Sequence, residues 1–189
     1  MIGIPLGLIT ANAIEWVVHK HVLHGLGRKK SSFWSFHWHE HHRASRRGGF
    51  RDEHYERPLL GWHAQSKEAL VIAGATAASI PLFPVAPFFV GTLWYAGFNY
   101  YRQHKRSHLD PEWARENLPW HYDHHMAPDQ HKNWGVRLPI FDWVFGTRKF
   151  YKGGKKERIR FILFKQKLKR ELHEIRSRRS RRQRPGSSR

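Results

Sequence analysis

Ten of the chain's sixteen histidines fall into four spaced clusters: His19-x4-His24, His37-x3-His41-His42, His104-x3-His108 and His121-x2-His124-His125. Neutral imidazole is a good ligand for iron, zinc, copper or nickel, so the chemistry these residues suggest is that of a metal. The last cluster is the best aligned, because positions i, i+3 and i+4 share one helix face. His121, His124 and His125 can therefore converge on one ion or on two neighbouring ones, and His104 and His108 share a face by the same rule. His19 and His24 are five apart, about 140° around an ideal α-helix; either they serve different ions or the helix ends between them. His21 aligns better with His24 and competes with His19, as His39, three before His42, competes with His37; His19 and His37 are preferred. A catalytic zinc site takes only three protein ligands, so ten candidates imply two metal ions. The chain has no cysteine, which excludes thiolate ligands, disulfides and cysteine nucleophiles. His54, His63, His131 and His173 have no partner at ligand spacing and read as ordinary surface or core histidines. A histidine-rich tract that binds metal adventitiously does not explain four spaced boxes that border apolar segments. Glu15, one turn before His19, is placed to orient that imidazole, and Asp123 lies inside the last box; each also reads as a plain helix-end acid.

These side chains need helices to position them. Residues 2–18 and 69–98 are apolar, and residues 19–66 and 99–147 carry the histidines. Pro81, Pro84 and Pro87 cannot lie inside one straight helix, so 69–98 reads as a hairpin with arms 69–80 and 88–98. Twelve helical residues rise roughly 18 Å, short of the ~30 Å hydrocarbon core. Either the arms continue into their polar flanks, or the hairpin dips into a membrane without crossing; a buried soluble hairpin is the alternative. Nine tryptophans and twelve phenylalanines fit a membrane interface. Arg28, Lys29, Lys30, Arg43, Arg46, Arg47, Arg102, Lys105 and Arg106 flank the apolar segments, which by the positive-inside tendency turns the boxes to the cytoplasm. Residues 2–14 lack a basic n-region and a cleavage site, so they read as mature structure rather than a secretory signal. The fold class expected is all-α: a small helical membrane protein with a short apolar hairpin and a cytoplasmic-facing histidine-box catalytic domain.

The net charge of +19 is unevenly placed: from Arg148 onward there are 18 Lys or Arg against three Glu. The domain division expected is therefore a catalytic domain over 1–150 and a basic tail over 151–189. Phe161, Phe164, Leu168, Leu172 and Ile175 recur at helical spacing among the basic residues, a pattern suited to an anionic membrane surface or to packing on the body. From Ser177 onward the composition suggests disorder. The tail holds none of the boxes, so truncation after Thr147 is expected to leave catalysis intact and weaken membrane attachment.

The order and spacing of the boxes resemble the fatty acid hydroxylase superfamily, also called the sterol desaturase family. Asn133-Trp-Gly-Val and the downstream Phe141-Asp-Trp-Val-Phe-Gly-Thr147 resemble the end of that family's catalytic domain. The similarity covers about Glu15 to Thr147. One departure is the second box, usually His-x2-His-His, which here is His-x3-His-His from His37 or His-x-His-His from His39. The resemblance implies a membrane di-iron enzyme whose metal ligands are His19, His24, His37, His41, His42, His104, His108, His121, His124 and His125. Zinc could replace the two iron ions in a purified preparation. It implies hydroxylation or desaturation of a lipid C–H bond with O2, on a fatty acyl, sphingolipid or sterol substrate. Electrons must come from an external donor (reductase, ferredoxin or cytochrome), since the chain has no Gly-x-Gly-x-x-Gly stretch or other cofactor motif. The stretch from Trp38 to His42 also resembles carotene ring hydroxylases, so a carotenoid ring is the alternative substrate. A basic nucleic-acid-binding protein with structural zinc is the reading of another class; nucleic acid is the less favoured partner.

Overall fold

The computed structural model describes residues 2–152 and, in the tail, only 159, 162–163, 166 and 169–173. The chain divides into a unit of residues 1–154 and a second of 155–189. Of the expected basic tail helix, only Leu172 among the five stripe residues is described, and it is exposed; the rest lies outside the described residues, as does everything from Ser177 on.

Every regular element among the described residues is helical. Helix α1 spans Gly3–Val17 and continues without a break into a π-helical segment, Val18–Leu23. A second π-helical segment, Phe36–His42, runs directly into the short α2, Arg43–Arg47. The hairpin follows: α3 spans Ala64–Ser79, a 3-10 turn covers Ile80–Leu82, and α4 spans Pro87–Leu109. Both arms extend beyond their apolar cores into polar sequence, α4 over 23 residues. Its length is thus roughly 34 Å at about 1.5 Å per residue, but its second half is too polar for a span. No helix among the described residues is long and apolar enough to cross a membrane.

Prolines place three helix starts. Pro87, Pro111 and Pro119 open α4, α5 (Pro111–Asn117) and α6 (Pro119–Met126), where a missing N–H costs nothing and the fixed φ already suits the helix. Asp110 caps α5 by accepting from the Trp113 amide at 3.0 Å. The last helix of the body, α7, is Ile140–Val144.

Helices α1 and α4 run side by side in the same direction. A Cβ on Gly3 would meet the Phe89 amide nitrogen at 2.9 Å, and one on Gly7 would meet Thr92 Cβ at 2.8 Å. Glycine is what lets these backbones touch. With α3 antiparallel to α4, the bundle has two unlike ends. At one, Ile2, Ile4, Leu6, Leu82, Phe83, Val85 and Phe88 are exposed. At the other are the end of the first π segment, the start of α3 and the second half of α4. The histidines lie there.

Candidate metal centre

The two π-helical segments account for the spacings that an α-helix could not reconcile. In a π turn the N–H of residue i bonds the carbonyl of residue i−5, and the His24 amide bonds the His19 carbonyl at 3.0 Å. Residues five apart then project the same way. The same holds for His37 and His42, whose Nε2 atoms lie 3.2 Å apart. The three-residue gap in the second box is what a π turn accommodates.

Two groups of histidine nitrogens result. His19, His24, His37, His42 and His124 form one; His41, His104, His108 and His125 form the other, with all ligand atoms of a group within 4.8 Å of one another. His121 adjoins the second group, its Nε2 3.0 Å from that of His108. All ten rings are buried. Each adjacent His-His pair is divided: His42 and His124 face the first group, His41 and His125 the second. His42 and His125 stack at 4.1 Å between the groups. The rival positions fall outside. His21 is exposed, and the half-buried His39 turns its Nε2 to the Arg28 carbonyl at 3.0 Å.

Hydrogen bonds on the far side of six of the rings fix their tautomers. Nδ1 of His19, His108 and His124 faces the backbone carbonyls of Trp134 (2.6 Å), Phe50 (2.8 Å) and Lys132 (2.6 Å). His41 Nδ1 faces Asp52 at 2.7 Å, His104 Nδ1 faces Glu68 at 2.6 Å, and His42 Nδ1 faces the Gln130 amide oxygen at 2.7 Å. Each of these partners is an acceptor, so each Nδ1 carries the proton and each inward Nε2 of a neutral ring is a bare lone pair.

Between His124 and His42, both fixed in this way, lone pair points at lone pair across 3.2 Å. His124 Nε2 also lies 3.1 Å from His24 Nε2, and His19 Nε2 lies 3.1 Å from His37 Nε2. Nitrogens at right angles around one ion, each ~2.1 Å from it, would be about 3.0 Å apart. In the second group, His41 Nε2, His104 Nε2 and both nitrogens of His125 are buried with no hydrogen-bond partner. Such a collection is costly unless a cation sits among the nitrogens. The residues fit two metal ions with all-imidazole donor sets.

Burial, reinforced by neighbouring rings, holds His19, His37, His42, His108, His121 and His125 well below the usual histidine range, and lowers His24 in the same way. His124 is pushed down to about 3 by burial, against the pull of the Lys132 carbonyl. Burial also lowers His41, although Asp52 opposes it. These nine rings are thus neutral, the form that binds metal.

Several supporting residues had no signal in the box spacing. Asp52 is fully buried and bridges His41 to His54, whose Nδ1 is 2.8 Å away. His54 is therefore not isolated. Glu68 holds His104 and accepts from the Tyr55 hydroxyl. Phe50, at φ 92, stacks on His108 at 4.5 Å while its carbonyl receives that ring's Nδ1. Non-glycine residues rarely adopt positive φ, and the strain is kept where it serves the site.

The Asn133–Val136 and Phe141–Thr147 motifs form one clamp. Asp142 accepts from the Trp134 and Gly135 amides at 2.9 and 2.7 Å and from Trp16 Nε1 at 3.2 Å. That holds the loop whose Lys132 and Trp134 carbonyls orient His124 and His19. Glu15 does not touch His19. It accepts from the Val136 and Arg137 amides and pairs with Arg137 Nε at 2.7 Å, gripping the same loop from α1. Asp123 faces Arg148 at 3.1 Å and the Lys152 amide at 2.9 Å.

A cavity of ≈ 270 Å³ opens beside the groups, between α1, α3 and α4. Ile14, Val71, Ile72, Leu93, Trp94 and Gly97 contribute to its apolar wall, and His19, His37 and His41 lie at its histidine end with Glu15, Arg137, Glu68 and Tyr100.

No curated protein and no solved structure matches the chain at a significant level. The family model for fatty acid hydroxylases matches residues 4–147, which takes in α1, all four boxes, the hairpin and the clamp. With that match over most of its length and ten buried histidines in two groups, the chain belongs to the fatty acid hydroxylase family.

Proposed function

We propose that the protein is a di-iron oxygenase that hydroxylates or desaturates a C–H bond of a membrane lipid with O2. The observation that carries this reading is the juxtaposition of two convergent histidine groups with the end of an apolar cavity. His19, His24, His37, His42 and His124 would hold one iron, and His41, His104, His108, His121 and His125 the other. Bound there, the iron pair would supply the reduction of O2 that attack on an unactivated C–H bond requires. The chain's own residues orient the imidazoles through Asp52, Glu68 and the loop carbonyls and line an apolar cavity beside them. That space lies just below the ~300–1,000 Å³ of typical ligand pockets, which favours one extended acyl chain over a fused-ring sterol or a carotenoid ring. The exposed apolar residues at the hairpin end and on or beside α7 (Leu138, Ile140, Val144, Phe145) would rest in the membrane, with the histidine end at its cytoplasmic face.

Lipid profiling of cells with and without the protein tests the reading. The expected result is a lipid carrying one added oxygen, labelled under 18O2, or one added double bond, together with close to two iron ions per purified chain. Zinc in their place would be tolerated by the ligands. Unchanged lipids alongside a single metal ion per chain after anaerobic iron loading would overturn it.

A further inference from the structure

Ring contacts lead from the first histidine group toward the surface by way of Trp38 and also directly from His24 to His131, edge-on at 5.8 Å. Trp38 sits on the second π-helical segment and is half-buried. Its indole stacks on His42, centroids 5.4 Å apart and planes 29° apart, and meets His24 edge-on at 5.1 Å. On its other side it stacks on His131 at 5.6 Å and 16°. The Arg28 guanidinium covers the indole at 5.3 Å and reaches His131 Nε2 at 2.6 Å. The run from His131 through Trp38 to His42 and His24 is therefore continuous in π contact. None of the orienting hydrogen bonds of the site involves Trp38.

Around the outer end the chain is basic. Lys29 and Lys30 are exposed beside Arg28, Arg43 and Arg47 are exposed on α2, and Lys132 adjoins His131. The acids nearest to them in sequence are Asp129, whose carboxylate accepts from the His131 amide, and Glu40, which pairs with Lys67 at 2.6 Å.

We propose that an acidic one-electron carrier protein docks on this face and that Trp38 bridges its electron to the first metal ion. The inference rests on the oxygenase reading above. Each transfer oxidises the carrier's reduced iron–sulfur or haem centre by one electron and reduces the metal centre by one. Two transfers and two protons balance the insertion of one oxygen atom of O2 and the release of the other as water. Tunnelling falls steeply with distance, and ring-to-ring contact shortens the gap between the surface and His42. Clustered basic residues steer an acidic partner into register and make its association sensitive to salt.

The test separates docking from transfer. Full-length protein loaded with zinc, which has no redox chemistry, is titrated with an acidic [2Fe–2S] ferredoxin and with an acidic b-type haem domain. At least one is expected to bind, about tenfold more weakly to the Lys29→Glu/Lys30→Glu double variant and more weakly at high salt. Iron-loaded protein is then reduced anaerobically by that carrier and, separately, by dithionite. In Trp38→Leu the ratio of carrier-driven to dithionite-driven rates is expected to fall about tenfold, and Trp38→Phe, which keeps a ring, to recover most of it. Metal content shows that each variant is folded. The proposal is overturned if neither carrier binds, if charge reversal leaves binding unchanged, or if Trp38→Leu keeps the wild-type ratio. Iron-loaded wild type that dithionite cannot reduce would defeat the oxygenase reading, and the bridge with it, whatever the zinc form binds.

Discussion

At the scale of residues, a histidine here is distinguished by what its outer nitrogen meets. His124→Ala and His125→Ala are each expected to lose bound metal and abolish turnover, because each removes an inward nitrogen from a different group. His21→Ala and His39→Ala should retain both, since neither ring points inward. Metal content and lipid product, measured together, separate a lost ligand from an unfolded chain; full metal in His124→Ala would defeat the assignment. Asp52→Ala and Glu68→Ala should lower metal affinity or activity by ~10–100-fold, the usual cost of losing a residue that orients a ligand. Because Asp52 also holds His54, His54→Ala falls between the two classes. Acid gives a separate expectation. A histidine with a folded pKa below its unfolded value of about 6.5 binds more protons when unfolded, so its contribution is complete above 6.5 and is lost as pH falls. Nine of the ten rings are shifted this way, with His124 down to about 3. Metal-free protein should therefore lose stability steeply below about pH 6.5, and a denaturation midpoint flat from pH 7 to 5 would contradict the buried neutral rings. The ten box positions were legible in the sequence. Asp52, Gln130 and the Phe50 carbonyl were not, because an orienting partner lies at no fixed spacing from its ligand.

At the scale of elements, periodicity revealed the helices and hid their pitch. An α-helical wheel sets His19 and His24 about 140° apart; a π turn stacks them, and no composition signal marks where the ladder widens. The histidines themselves gave the hint, since both awkward boxes contain a five-residue spacing. The proline turn was readable because proline is excluded from a helix interior, and so were the arms, though not their length in polar sequence. Close approach is the testable property of these helices. Gly7→Leu should force α1 from α4 and destabilise the protein by ~1–3 kcal/mol, read as a lowered denaturation midpoint. Gly97→Leu places its side chain toward the cavity, where even a Cβ would lie 3.2 Å from Ile72 Cγ2. It should keep both metals yet shift the product profile toward shorter chains or lose product. An unchanged profile would mean that the substrate lies elsewhere.

At the scale of the whole molecule, the sequence separated a nearly balanced body from a basic tail, and the residues just after Thr147 are tied to the body. Arg148 reaches Asp123 and Asn133, the Lys149 amide and carbonyl both bond the Asn133 side chain, and the Lys152 amide bonds Asp123. Truncation after Thr147 would thus loosen the loop that orients His19 and His124. Truncation after Gly154 should keep metal and activity in detergent while reducing membrane association in anionic vesicles; loss of metal in that variant would show that the tail belongs to the fold. Membrane attachment was expected from the apolar runs, and the exposed hairpin end is where the proposed attachment would act. The divided His-His pairs reach furthest. Because one backbone step delivers His41 to one histidine group and His42 to the other, and His124 and His125 repeat this, a metal filling either group would set the chain for its neighbour. Loading should then be all-or-none: when iron is scarce, a cell would hold a mixture of complete and empty molecules rather than a uniform stock of half-filled ones, and native mass spectrometry at one iron per chain should show few singly loaded species.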